Sequence, residues 1–525
     1  MRVGQRFILL FHHYPQLLKH FYRAALVVLQ RPSQQAGLAT LIAAMGSTLL
    51  FPVFRLFPGQ LLLALVKGLA TSLSVFYVLF PSLLLYYLLK SVDGMSLLGR
   101  GIARLVPERD LQVLLLVIGF APFAESVSGF GVGTILVIPL FLALGYSSAQ
   151  SAILGILGQM AVPWGGLAIG TVLGAEITNL DPSILGSTTA LLTAPLPVVY
   201  GLVALAVSGG KKSVQRRWPE AIAAGVLLTI GVWGFSWIPG VELAGVLGST
   251  LVMSFLVVWA NRKLFHKLFH KAKRKRTVNL VNTARNSSEK TAHDSAEYGI
   301  TKVSLWQVIA PYGILTAILL ISRLVVPLKI LLKSHFVISI AAINLNLPLL
   351  YNPGFYLLLT ALATVTILGT VVHKLQVITI QAWQQFIPGA IALACFLAAS
   401  QVMQASGMIA SLGMAAATLG DKYIWVAPWL AALGGWITGS STASNALLSQ
   451  LQQEVSIQSG LPLEWLMGAQ NGASAHATMI SPARAIIAAT AVGWSGAEVF
   501  LLRQMGLVVL GAVAVIMSLL VLALP

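Results

Sequence analysis

The sequence predicts an all-α polytopic membrane protein with about 11–14 transmembrane helices, and three observations support this class. The chain of 525 residues is 57% hydrophobic. Only 9% of its residues are charged, whereas soluble domains carry about 25%. Apolar blocks recur along the chain at lengths that suit membrane crossings of about 20 residues each. A water-soluble fold is therefore excluded.

The positive charge of the chain is placed as in a membrane protein. The formal net charge is +18, but the basic residues cluster in short segments between apolar blocks, which is the positive-inside pattern. A lipid bilayer rather than nucleic acid is therefore the predicted environment. Residues 261–302 hold eleven basic residues against three acids and predict a cytoplasmic, largely disordered linker. It divides a first membrane half, 36–260, from a second, 303–525, after a basic N-terminal extension, 1–35, that could lie at the membrane interface.

Counting crossings between basic loops points to a hairpin. The loops at 211–217 and at 90–109 both carry several basic residues and are both predicted to be cytoplasmic. The apolar blocks between them are odd in number, so one block must return to the side from which it came. The natural candidate is 111–145, because it is long and interrupted by glycines.

Glu125 lies in this block, close to Ser128, Gly129 and Gly131. A carboxylate inside the membrane costs about 2.5 kcal/mol or more on insertion scales, and glycines permit unwound backbone beside it. The pattern predicts a broken helix with a proton-carrying or substrate-binding carboxylate. The alternative is a glutamate at a helix end that reaches the membrane interface.

A second break is predicted in the other half of the chain, where hydroxyl and amide side chains interrupt an apolar block at Ser440, Ser441, Thr442, Ser444 and Asn445. Further broken blocks follow in each half, at 158–166 and 468–482. Paired breaks in matching places are the sequence pattern of transporters built from repeats, which can be inverted. Helix N-termini at such breaks offer N–H groups to an anion. The small polar residues could instead serve close helix packing.

Three stretches of the sequence resemble the L-lactate permease family, from about residue 60 to the end. They are FAPFAESVSGFGVGT (120–134), WLAALGGWITGSSTASNALL (429–448) and GAQNGASAHATMISPARAIIAA (468–489). Members of that family take up L-lactate and related 2-hydroxymonocarboxylates such as glycolate, together with protons, across the bacterial cytoplasmic membrane.

The resemblance implies site residues and also shows two departures. Glu125 corresponds to the family glutamate, Gly129, Phe130 and Gly131 to its glycine turn, and Thr442, Ser444 and Asn445 to its second turn. The family's usual aspartate in the second turn is Ser441 here. Its usual lysine before the MISP stretch is Thr478 here. Loss of both an acid and a base avoids an unpaired buried charge.

The third stretch adds Asn471, His476 and Arg484 as candidate site residues. Arg484 is the only lysine or arginine between Lys422 and Arg503, and a guanidinium can bind a carboxylate in a bidentate manner. The alternatives are an arginine at the membrane interface and a histidine that serves the core. We predict a plasma-membrane symporter of a small monocarboxylate and protons, without cofactor or metal. An anion or proton channel, or a carrier of another small organic anion, is the alternative. A membrane enzyme is disfavoured because no catalytic motif occurs.

Overall fold

The computed structural model describes residues 33–524 except 95–96, 98–99, 102–103, 130, 263–302, 341–344, 370–371 and 495–496. The predicted extension (1–35) and linker (261–302) therefore lie almost wholly outside the described residues. Within the described ranges the chain is helical, apart from a short antiparallel pair of strands. The predicted all-α class is confirmed.

The first half of the chain contains helices of very unequal length. Residues Leu115–Phe120 within α3 are π-helical, α8 is kinked at Gly209 and Gly210, and the stretch Gly158–Trp164 between α5 and α6 is 3₁₀-helical. In chain order the helices are α1 (Ser33–Leu50), α2 (Pro58–Lys90), α3 (Arg109–Ser128), α4 (Val132–Ala143), α5 (Ser148–Leu157), α6 (Gly165–Thr178), α7 (Pro182–Leu192), α8 (Leu196–Phe235) and α9 (Val241–Ala260).

The second half repeats this mixture of long and short helices. A 3₁₀ turn, Thr478–Ile480, separates α17 from α18. In order the elements are α10 (Leu305–Leu324), α11 (Val326–Ser334), β1 (Val337–Ile340), β2 (Leu345–Pro348), α12 (Pro353–Leu368), α13 (Leu375–Ala405), α14 (Met408–Ala417), α15 (Ala427–Thr438), α16 (Ser441–Ser459), α17 (Leu463–Ala477), α18 (Pro482–Ala491) and α19 (Glu498–Ala523).

Seven helical stretches of the described chain are long and apolar enough to cross a membrane. One of them, Leu196–Ala260, has 65 residues and joins α8 to α9, which is more than one crossing requires. A multi-pass membrane protein is therefore confirmed. The number of crossings, about 11–14, stays a prediction because the stretches contain breaks.

The basic loops at 90–109 and 211–217 and the end of α9, where the linker begins, lie at one face of the described structure. Ser213 donates to Asp110 Oδ1 at 3.0 Å, and Arg216 pairs with the same carboxylate, so the loop at 211–217 lies beside the start of α3. Asn261 Nδ2, at the end of α9, donates to the carbonyl oxygen of Leu105 at 2.8 Å. This agrees with the prediction that both basic loops lie on the same side of the membrane. By the positive-inside rule, this face is the predicted cytoplasmic one.

Helices α3 and α4 form the hairpin that the number of apolar blocks between the two basic loops predicts. A Cβ placed on Gly133 would lie 2.6 Å from the carbonyl oxygen of Ala121, so α4 runs back along α3. At the end of the hairpin opposite the turn, Arg109 Nη2 donates a hydrogen bond to the carbonyl oxygen of Leu144 at 3.0 Å. Residues 111–145 therefore enter and leave at the same face.

Helices α15 and α16 form a second hairpin with small residues at the contact. A Cβ on Gly434 would lie 2.6 Å from Ser444 Oγ and 2.7 Å from Leu448 Cδ1. The chain reverses at Gly439, whose φ of +64° is a left-handed conformation that glycine adopts without strain. Both breaks therefore join two antiparallel helices.

The ends of the two hairpins opposite their turns lie at opposite ends of the segment that runs from α5 through α6. Gln150, in the first turn of α5, donates to the carbonyl oxygen of Val207 at 2.8 Å, near the basic loop. At the other end, Gln453 of α16 donates to the carbonyl oxygen of Thr178 at 3.2 Å. The open end of the second hairpin thus lies away from the basic face, as in a fold with inverted halves.

Candidate functional site

The four breaks that the sequence predicts lie close to one another. They separate α3 from α4, α5 from α6, α15 from α16, and α17 from α18. In the first half, a Cβ on Gly129 would lie 3.2 Å from the backbone nitrogen of Gly166. In the second half, a Cβ on Gly439 would lie 3.3 Å from Ser481 Oγ. Between the halves, a Cβ on Gly170 would lie 2.9 Å from Thr442 Oγ1. Helix ends from both halves of the chain are therefore gathered in one region.

Glu125 closes the first break with its side chain. Its Oε1 accepts a hydrogen bond from the Gly131 N–H at 3.0 Å and its Oε2 accepts one from the Gly133 N–H at 3.2 Å. These N–H groups belong to the start of α4, where a negative charge is stabilised by the helix dipole. The residue is only 1% exposed, so it does not reach the membrane interface.

Arg484 approaches Glu125 from the other half of the chain. It lies in the first turn of α18, is 6% exposed, and its Nη2 is 3.8 Å from Glu125 Oε1. This distance is short enough for an ion pair but too long for a hydrogen bond. Its Nη1 is buried and has no hydrogen-bond partner in the described structure. The guanidinium therefore keeps donors available for another anion.

Gly131 makes room for this approach. Its φ is +78°, and a Cβ at this position would overlap the guanidinium of Arg484.

We expect Gly131→Ala to lower the initial rate of uptake by at least tenfold, because the left-handed backbone costs about 1–2 kcal/mol and the side chain displaces Arg484. Gly145→Ala is the matched control, since its φ is +80° but its Cβ would lie 3.7 Å from Arg109 Nη2. Equal losses in the two variants would mean that backbone strain alone is responsible.

A cavity of ≈ 230 Å³ lies on the other side of Arg484. Its walls come from α2, α13, α18 and the turn between α15 and α16. Drug-sized ligands occupy about 300–1,000 Å³, so this space suits a smaller molecule. The polar side chains at its wall are Gln385, Thr438, Ser440, Thr442 and Arg484.

Two of these cavity residues were not identified from the sequence. Gln385 lies in α13, and its Oε1 accepts a hydrogen bond from Tyr87 Oη at 2.6 Å. Thr438 ends α15, and its hydroxyl lies 2.8 Å from the carbonyl oxygens of Gly434 and Ser440. Gln385 is one of four glutamines in the first eleven residues of α13, so its residue type gave no signal that set it apart.

Several predicted site residues lie instead in a buried network of amides and hydroxyls. Asn445 Nδ2 donates to the carbonyl oxygen of Gly170 at 3.0 Å and to Asn471 Oδ1 at 2.9 Å. Asn471 in turn donates to Thr171 and Thr189 at 2.8 and 3.0 Å. The network joins α6, α7, α16 and α17, and neither asparagine lines the cavity. Ser444 belongs to it through Gln470, which donates to its hydroxyl at 3.1 Å.

Asn445→Ala is therefore expected to act on stability. It removes the donor that two buried oxygens use, which costs about 1–3 kcal/mol in the free energy of unfolding. Thermal unfolding in detergent measures the loss. Thr442→Val, one turn earlier on the same helix, should leave the midpoint near that of the wild type. An unchanged midpoint for Asn445→Ala would contradict a structural role.

The remaining predicted residues lie near the breaks or apart from them. Ser441 is buried in the first turn of α16, Ser128 is buried at the end of α3, and Phe130 lies outside the described residues. Thr478 is fully buried and donates to the carbonyl oxygen of Ala475 at 2.7 Å. Neither departure from the family pattern leaves a charged side chain at these positions.

His476 lies in a separate place. Its Nδ1 is 2.9 Å from Tyr200 Oη, and its Nε2 has no partner among the described residues. It borders a void of ≈ 10 Å³ together with Trp164, whose Nε1 is also unpartnered. That volume suits about one water molecule. The structure does not bring His476 to the cavity beside Arg484.

Broken helices that meet at a buried ion pair beside a small cavity are an arrangement typical of membrane transporters. The family model described as L-lactate permease matches residues 20–524. The chain belongs to the L-lactate permease family, and it is a transporter rather than an enzyme. The match begins at residue 20, so the similarity extends further toward the N-terminus than the start at about residue 60 predicted from the sequence.

Curated relatives agree with this assignment over nearly the whole chain. The chain is 24% identical to the glycolate permease GlcA of Escherichia coli (strain K12), with 92% of this chain and 90% of that protein covered. It is 24% identical, with the same coverage, to the L-lactate permease of Bacillus subtilis (strain 168). It is 25% identical to the L-lactate permease of Halalkalibacterium halodurans, with 91% and 90% covered.

Proposed function

We propose that this protein imports L-lactate or a related small 2-hydroxymonocarboxylate such as glycolate, together with protons, across the cytoplasmic membrane. The observation that carries the proposal is the position of Arg484. Arg484 pairs with the Glu125 carboxylate and also lines the cavity, and its Nη1 is buried without a hydrogen-bond partner in the described structure. A monocarboxylate in the cavity supplies the acceptor that this nitrogen lacks.

Proton coupling follows from a competition for one positive charge. When Glu125 is ionised, its carboxylate neutralises Arg484, and a second carboxylate would be an uncompensated buried charge. A proton on Glu125 removes that competitor and leaves Arg484 free to pair with the substrate. Substrate and proton thus enter together, and the buried region keeps the same net charge in both states.

The second turn supports recognition of the 2-hydroxyl group. The hydroxyl residues Thr438, Ser440 and Thr442 line the same cavity as Arg484, so a 2-hydroxy acid held by its carboxylate lies within reach of this turn. We expect Thr442→Val to raise the KM for L-lactate about tenfold, which corresponds to one lost hydrogen bond. Propionate, which lacks the hydroxyl, should show the same KM in variant and wild type. A similar rise for both acids would contradict this role.

The opposed hairpins support alternating access. One hairpin opens toward the basic face and the other opens away from it, and both reversals lie at the cavity region. Rocking of one half against the other then exposes the same site to either side.

Uptake by purified protein in liposomes tests the proposal. We expect accumulation of labelled L-lactate and glycolate when the lumen is made alkaline, and no accumulation when a protonophore collapses the gradient. A panel of acids with and without a 2-hydroxyl group defines the substrate class. Flux that only equilibrates the acid, whatever proton gradient is imposed, would contradict the symporter and indicate a channel.

A further inference from the structure

Helices α9 and α10, which flank the linker between the two halves, leave a groove between them on the surface. Its volume is ≈ 720 Å³. Its wall is mainly apolar and includes Leu247, Met253, Val257, Ile309 and Leu320. In a bilayer such a groove must be filled by something apolar.

A second groove of ≈ 590 Å³ lies on the other flank of α10. The two grooves share Ile309, Gly313 and Ala317, so α10 forms a ridge between them. The ridge is low at Gly313, where a Cβ would meet no atom within 4 Å. Two apolar furrows therefore run side by side, separated by a ridge that is lowest at Gly313 and Ala317.

Positive charge stands at one end of these furrows. Leu105 borders the larger furrow and is tied to the end of α9 by Asn261. Arg104 immediately precedes Leu105, Arg262 immediately follows Asn261, and both arginines are exposed. Within the described residues, neither arginine has a carboxylate partner.

An aromatic side chain marks the same end as the membrane boundary. Trp306, in the first turn of α10, borders the smaller furrow and is 75% exposed. Tryptophan at this depth is typical of the level of lipid headgroups. The furrows thus begin at the interface on the basic face and run into the apolar layer.

We propose that this surface binds one anionic diacyl phospholipid. Its two acyl chains lie in the two furrows on either side of Gly313, and its phosphate lies between Arg104 and Arg262. Basic residues at the cytoplasmic ends of helices recognise anionic headgroups in this way. A partner helix would have to lie across the ridge formed by α10, whereas the two acyl chains of one lipid can lie on either side of it.

The test uses the full-length protein in detergent after removal of lipid. Phosphatidylglycerol should raise the midpoint of thermal unfolding by several degrees, and phosphatidylcholine should not. Native mass spectrometry should show one bound phosphatidylglycerol per protein. The double variant Arg104→Gln/Arg262→Gln should bind it roughly thirtyfold more weakly, as two arginines near an anionic lipid contribute.

Gly313→Leu tests the furrows separately from the charge. The added side chain has open space, so the protein should fold, but it should lose the bound lipid and the thermal protection. Gly511→Leu and Arg503→Gln are matched controls, because both positions are exposed on α19 and a Cβ on Gly511 would also meet nothing within 4 Å. Equal protection by phosphatidylcholine, retention of lipid by Gly313→Leu, or a dimer that this variant dissociates would each overturn the proposal.

Discussion

Arg484→Gln is expected to reduce uptake at low substrate concentration by a hundredfold or more. Arg484 is the one cationic side chain at the cavity wall that the structure describes. A carboxylate that leaves water needs such a partner, and truncating one member of a buried charge pair costs about 2–5 kcal/mol, or roughly thirtyfold to several thousandfold in affinity. Initial rates of L-lactate uptake into liposomes, measured over a range of concentrations, separate KM from the maximal rate.

Arg323→Gln is the control for the loss of a buried arginine. Arg323 is also 6% exposed and pairs with Glu242 at 3.0 Å, but it does not border the cavity. We expect it to lower stability without raising KM. Arg484→Lys should restore part of the affinity, since it keeps the charge but loses the planar fork of donors. If Arg484→Gln keeps the KM of the wild type, N–H groups at the helix ends must bind the anion alone.

The family pattern supplies a further comparison at Thr478, where a lysine is usual. We expect Thr478→Lys to restore part of the uptake that Arg484→Gln loses. Such a rescue requires the two positions to act on one site, which a double-mutant comparison detects. No recovery, in a protein that folds normally, would show that a cation at Thr478 does not reach the substrate.

Glu125→Gln should abolish accumulation driven by a proton gradient and reduce the ratio of internal to external L-lactate to about one. The amide carries no charge, so Arg484 remains free to bind the substrate at every pH. Exchange of labelled for unlabelled L-lactate should therefore continue, and its rate should lose its dependence on pH. Both measurements use the same liposomes, with and without an imposed gradient.

The glutamine variant needs a stability measurement beside it. Glu125 Oε1 and Oε2 accept hydrogen bonds from Gly131 and Gly133, and an amide offers only one acceptor oxygen. The other N–H group is left facing an NH₂ group, at a cost of about 1–3 kcal/mol. Loss of accumulation with a normal unfolding midpoint assigns the effect to the proton. Wild-type accumulation in this variant would remove Glu125 from the coupling.

The sequence by itself determined the class of protein and the positions of the breaks. Hydrophobic content and charge placement suffice for a multi-pass membrane protein, because a bilayer excludes charge and retains basic loops on one side. The breaks were visible because the required residue types are few. A left-handed turn at Gly131 or Gly439 calls for glycine, and a carboxylate such as Glu125 inside an apolar block requires a functional or structural partner.

Only the tertiary structure decided which of these residues meet. Glu125 and Arg484 are far apart in sequence, and their separation of 3.8 Å depends on how two hairpins from different halves pack. Packing also directs Asn445 and Asn471 into a network between helices and brings Gln385 to the cavity. Burying a polar side chain without a partner costs free energy wherever the side chain lies. A polar residue in an apolar block of the sequence therefore indicates that a partner exists. Whether that partner is another helix or a substrate is set by the direction in which its helix face points.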